Sequence, residues 1–160
     1  MSTAAELTRT LATVAEEIAT AAKRLLAQLE TERSALISGD ATTIDLVTAK
    51  KQALLQQIET LESERRHLLS YIGEGTYQLP FAMERELAQY KGAAQQWRDT
   101  VATLARCQQL NEANGSLVEL RMRHVRQALD LVMGVPSRTE LYGPQGEPAN
   151  LRKSHPLAKV

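Results

Sequence analysis

The stretch NEANGSL, residues Asn111–Leu117, decides how the second half of this chain folds. Asn114-Gly115 is the strongest short hairpin dipeptide, and read alone it would turn the chain back on itself. A hairpin needs alternating strands on both sides, and none flank it. The residues around it recur instead at helical spacing: Met83, Leu87, Tyr90, Ala94, Trp97, Val101, Leu104, Gln108, Asn111, Gly115, Val118, Met122, Val125, Leu129 and Val132. The alternation of four and three passes through Gly115 unshifted, which a loop has no reason to preserve. The pattern predicts one continuous helix over 80–133, about 54 residues and roughly 80 Å long. Gly115 costs it about 1 kcal/mol relative to alanine and marks a weak or bent point. Pro80 suits the first helical position, where a missing N–H costs nothing. Glu84 and Glu86 complement the positive end of the helix dipole, and Gly134 with Pro136 stops the helix.

Two shorter helices precede it. Over 3–38, Thr3 and Glu6 have the spacing of a capping box. Leu7, Leu11, Val14, Ile18, Ala21, Leu25 and Leu29 then alternate four and three, the mark of a helix with one seam toward a partner. Gly39 sits where a left-handed cap belongs. Over 42–72, Thr42 and Asp45 suggest a second capping box, and the seam runs Ile44, Val47, Lys51, Leu54, Ile58, Leu61, Arg65, Leu68 and Ile72, with Lys51 and Arg65 as its polar entries. Gly73 and Gly75 end it. So short a turn as SGDATTID between two such helices makes an antiparallel hairpin.

The expected fold is all-α: an elongated antiparallel three-helix bundle or coiled coil over 1–135, with a long third helix. An extended tail containing Pro and Gly follows over 136–160. The unequal lengths leave the C-terminal part of the third helix overhanging its partners by about 20–30 Å. Its apolar stripe, Leu117, Val118, Met122, Val125, Leu129 and Val132, then meets a partner outside the chain. The alternatives are a bend of the first helix or a return of the tail over it.

The 160 residues amount to one domain, and 19 basic against 19 acidic side chains give no net charge. That balance argues against a nucleic acid or an anionic membrane held by bulk electrostatics. The N-terminus has no basic region leading into an apolar run, so no signal peptide is expected. No apolar run approaches the ~18 residues of a membrane span, and the single cysteine, Cys107, suits a reducing compartment. These features point to a cytoplasmic protein.

No catalytic, metal or cofactor constellation emerges. His67, His124 and His155 lack ligand spacing, and Glu64-x-x-His67 is half of a di-iron motif whose other half is absent. GEGTYQ follows a helix and lacks the third glycine of a phosphate loop. RMRHVRQ spreads its cations around a helix between Glu119 and Asp130, as a solvated face does. With no acid, base and nucleophile to assemble, the chain is not expected to be an enzyme or to need a cofactor. Asn111 and Asn114 share a face with Gln108 and Gly115. They form either a polar layer that fixes helix register or donors to a docked helix that Gly115 lets approach.

Three pieces, taken in order, resemble the FlgN-type flagellar export chaperones. The first is ALISGDATTIDLVTAKKQALLQQIETLESERRHLL, a hairpin with Gly-Asp at its turn. The second is NEANGSLVELRMRHVRQALDLVMG, with Asn-x-x-Asn-Gly inside the last helix. The third is LYGPQG, a Tyr-Gly shortly after that helix. EPANLRKSHPLAKV matches nothing in the pattern.

The resemblance implies a cytosolic chaperone of the flagellar type III secretion system. It implies binding of the hook–filament junction proteins, hook-associated proteins one and three, and protection of their helical or disordered ends from premature assembly. Delivery then goes to the cytosolic domain of the export-gate membrane protein, with the export ATPase complex as a further partner. By motif match, cargo binding falls on Asn111, Asn114, Gly115, Leu117, Val118, Met122, Val125, Leu129 and Val132, and gate docking on Tyr142 with Gly143. The alternative is a structural coiled coil that self-associates through the unoccupied stripe.

Overall fold

The computed structural model describes residues 3–73 and 81–134, and among them every regular element is helical. The elements are α1 (Ala4–Ser38), α2 (Ala41–Ile72), α3 (Ala82–Leu87) and α4 (Ala93–Val132). Two compact units divide the chain, residues 1–119 and residues 120–160.

Local chemistry sets the helix ends. Thr3 and Glu6 form the expected capping box at the start of α1, which satisfies two N–H groups that the first turn cannot. Gly39 adopts the left-handed conformation at φ 79°. Its N–H and that of Asp40 both donate to the Ala35 carbonyl, so the chain reverses within two residues. The start of α2 differs from the Thr42–Asp45 expectation. Asp40 is its cap, accepting from the Thr43 N–H at 3.1 Å and the Thr43 hydroxyl at 2.6 Å. A carboxylate one residue outside the helix accepts from the backbone better than a threonine within it.

Within residues 1–119 the core is organised on α1, whose Leu11, Val14, Ile18, Leu25 and Leu29 are buried together with Ala15, Ala19, Ala21 and Ala22. One cluster joins Leu11, Val14 and Ile18 to Leu61, Leu68 and Leu69 of α2, Met83 and Leu87 of α3, and Trp97 of α4. A second joins Leu25 and Leu29 to Cys107, with Leu54, Ile58 and Leu110 packed against it. Each fully buried aliphatic side chain contributes about 1.5–3 kcal/mol, so these seams hold the helices more than helix propensity does.

The expected continuous helix over 80–133 is not what forms. α3 ends at Leu87, the chain turns through Ala88–Gly92, and α4 begins at Ala93. Gly92 supplies a left-handed residue at φ 80°, a conformation that costs other residues roughly 1–2 kcal/mol. The Ala93 N–H returns to the Tyr90 carbonyl at 3.1 Å, and the Gln96 N–H opens α4 on the Gly92 carbonyl at 2.9 Å. By contrast, α4 passes through Asn114-Gly115 without interruption, as the unshifted heptads required. At its far end Gly134 is left-handed, at φ 65°. Pro80, Gly75, Pro136 and the tail over 136–160 lie outside the described residues.

Candidate functional site

Polar residues of α1, α2 and α4 converge in residues 1–119. Lys51 Nζ donates to Glu32 Oε1 at 2.7 Å and to Asn111 Oδ1 at 3.3 Å. Asn114 Nδ2 donates to the Leu29 carbonyl and to Glu32 Oε2, both at 2.9 Å. Asn114 is 2% exposed and Glu32 5%. Both carboxylate oxygens of Glu32 are therefore engaged, one by a cation and one by an amide, as a buried charge requires. The other polar entry, Arg65, is held by both oxygens of Glu62 and lies over the Trp97 ring at 5.3 Å, a cation–π contact.

This geometry separates the sequence-derived candidates. Asn114 is turned into the core against α1, with both amide N–H groups occupied, whereas Asn111 is exposed beside Lys51. The pair does not form one open face. A Cβ built on Gly115 meets nothing within 4 Å, so no helix of the described chain approaches closely there. Glu32 was missed in the sequence. The signal was available: it follows Leu29 by three residues on the α1 seam, a carboxylate opposite the lysine in the α2 seam.

The remaining candidates are divided between the two units. In residues 1–119, Leu117 is half-buried and Val118 is 39% exposed. In residues 120–160, Met122, Val125 and Leu129 are all more than half exposed, and Val132 reaches 85%. Leu120, Leu131 and Met133 are exposed as well. Met133 follows Leu129 by four residues and extends the same face, whereas Leu120 and Leu131 lie off the heptad and so escaped the pattern. Tyr142 and Gly143 lie outside the described residues.

Such a surface suits apolar contact more than chemistry. Burial holds the Cys107 thiol above its ordinary pKa, and its Sγ sits 3.7 Å from the Ala22 carbonyl, so it is a poor nucleophile. His67 packs edge-on against Tyr71, with ring centroids 4.8 Å apart. Among the described residues no cluster of His, Cys, Asp and Glu could hold a metal, and no helix is long and apolar enough to cross a membrane.

One family model, described as FlgN protein, matches residues 1–150 of the chain. No curated protein and no solved structure matches it.

Proposed function

The chain belongs to the FlgN family of flagellar export chaperones, and from that premise we propose that it binds the helical or disordered ends of hook-associated proteins one and three in the cytoplasm. It keeps them from assembling early and delivers them to the export gate. The observation that carries this reading is the exposed run Met122, Val125, Leu129 and Val132 within residues 120–160. Apolar anchors at helical spacing are what an amphipathic partner helix needs. Burying them supplies about 25 cal/mol per Å², part of which is spent ordering the cargo's end. Methionine adapts to imperfect surfaces, and the resulting affinity is real but reversible, so the export machinery can strip the cargo.

Delivery is assigned to Tyr142 and Gly143, with the cytosolic domain of the export-gate membrane protein as their partner and the export ATPase complex as a further one. An aromatic side chain is a suitable anchor for a shallow pocket.

The test is a pull-down with the C-terminal segment of each junction protein. Replacing Val118, Met122 and Val125 with Asp is expected to abolish capture while circular dichroism stays helical. Full capture by that variant would move the site elsewhere. Tyr142→Ala should leave capture intact and weaken binding to the gate domain. The same exposed stripe also fits self-association, which would appear as concentration-dependent mass in sedimentation without any cargo.

A further inference from the structure

A cavity of about 240 Å³ opens between α2 and α4 over α1, wholly within residues 1–119. Leu29 of α1, 1% exposed, is its floor, and Ile58 of α2 and Leu104 of α4 are its walls. Leu55 stands at its mouth, 44% exposed. Val101, three residues before Leu104 on α4, is 49% exposed, so the apolar surface continues past the cavity. Packed interiors leave few voids larger than a water molecule, and an apolar hollow open to solvent is where a partner seats an anchor side chain. Its size decides the class of occupant. Pockets for drug-sized molecules run from ~300 to ~1,000 Å³, whereas 240 Å³ suits one or two large side chains of a segment that stays outside. A groove between two helices takes such side chains from an amphipathic helix.

The polar end of the cavity says what must accompany the anchor. Lys51 and Asn111 both line it. Lys51 donates to Glu32 Oε1 and to Asn111 Oδ1, which leaves one N–H of the ammonium and both N–H groups of the Asn111 amide for a further acceptor. Glu32 balances the lysine charge, and the donors remain. We infer that this cavity is an anchor site for the helical end of the cargo, taking one large apolar side chain onto Leu29 and a carboxylate one turn along onto Lys51 and Asn111. The inference rests on the reading of the chain as a chaperone of such ends. It adds a contact and a charge requirement that the exposed run on α4 does not carry. A cargo cation at that point would meet an ammonium and an amide in place of an acceptor, so the site also selects against basic ends.

The experiment is calorimetric titration of the full chain with the C-terminal segment of each junction protein. Gln108 lines the cavity and is exposed, so Gln108→Trp fills the space without opening the core. It should weaken binding roughly ten- to hundredfold, the worth of one buried apolar anchor. Asn111→Asp keeps the shape and the contact with Lys51 but replaces the donors with a second carboxylate. It should weaken binding by about tenfold or more, the worth of a hydrogen bond to a charged group, and by more than Asn111→Ala does. Circular dichroism and the melting temperature should hold in each. If Gln108→Trp does not fold, Leu55→Asp at the mouth carries the same comparison. Binding within about twofold of the unsubstituted chain in either the filled or the aspartate variant overturns the inference. Should those variants bind fully while the Val118, Met122 and Val125 aspartates abolish capture, this inference alone falls. If the unsubstituted chain captures neither segment, the proposed function falls and the anchor site with it.

Discussion

The side-chain amide of Asn114 donates to Glu32 Oε2 at 2.9 Å across 82 residues of sequence. Its other N–H reaches the Leu29 carbonyl at the same distance, and Lys51 holds the far oxygen of Glu32 at 2.7 Å. Asn114→Ala removes both donors and leaves a buried carboxylate oxygen bare, so unfolding free energy should fall by about 1–3 kcal/mol. Asn111→Ala loses one longer bond at an exposed position and should change stability by no more than about 0.5 kcal/mol. Urea denaturation of the two variants side by side checks the contrast, and equal losses would mean that the layer is not held through Asn114.

Two glycines should respond oppositely to alanine. Gly115 is inside α4 with open space where a Cβ would stand, so Gly115→Ala should stabilise by about 0.8–1 kcal/mol. Gly92 also faces open space, yet its φ of 80° is strained for any side chain, so Gly92→Ala should destabilise by roughly 1–2 kcal/mol. Thermal melts of both variants decide this. A shift of the same sign in both would place the turn between α3 and α4 elsewhere.

That pair also shows where the sequence was readable. Helical periodicity identified the seams of α1 and α2 and carried α4 correctly through Asn114-Gly115, because a hairpin there would have thrown every later apolar residue off its face. The same periodicity concealed the turn at Gly92. Leu87, Tyr90 and Ala94 keep the spacing across it, since the turn returns the chain to the same core and Tyr90 still packs against it. Thr3 and Glu6 were legible because a cap is a local interaction. The partner of Lys51 was not, since Glu32 lies on another helix; of the two partners of Arg65, Glu62 is local to α2, whereas Trp97 lies on α4 and meets it through tertiary packing. Asn114 could be placed on a polar spot from its spacing, but which way it turned depended on Glu32. Of the candidate site, the open stripe on α4 was readable as a stripe because no charged residue interrupts its heptad.

Core and stripe should separate in a stability series. Trp97 is buried among Leu11, Val14 and Ile18 of α1 and their neighbours, so Trp97→Ala should cost about 3–5 kcal/mol. Val125 and Leu129 are more than half exposed, and alanine at either position should change stability by no more than about 0.5 kcal/mol. The comparison is read by chemical denaturation at a concentration where sedimentation gives a single mass. A large loss at Val125 there would show that its side chain is covered in the free protein.

Asp40 sets an acid-sensitive step at the start of α2. The Thr43 hydroxyl, and then the Thr43 N–H, hold its carboxyl below the usual carboxylate range, because both donate to the ionised form. In the unfolded chain an aspartate titrates near about 3.9. A folded value below the unfolded one means that the capping contribution is complete above the unfolded value and is lost as pH falls through the folded one. Hydrogen exchange at the Thr43 amide should therefore be unchanged from neutral pH down to about pH 4, once corrected for intrinsic rates, and rise only below it. Asp40→Asn keeps a capping acceptor but has no proton to gain, so its corrected protection should stay flat across that acid range. An asparagine variant that loses protection in step with the unsubstituted chain would move the acid response to another carboxylate.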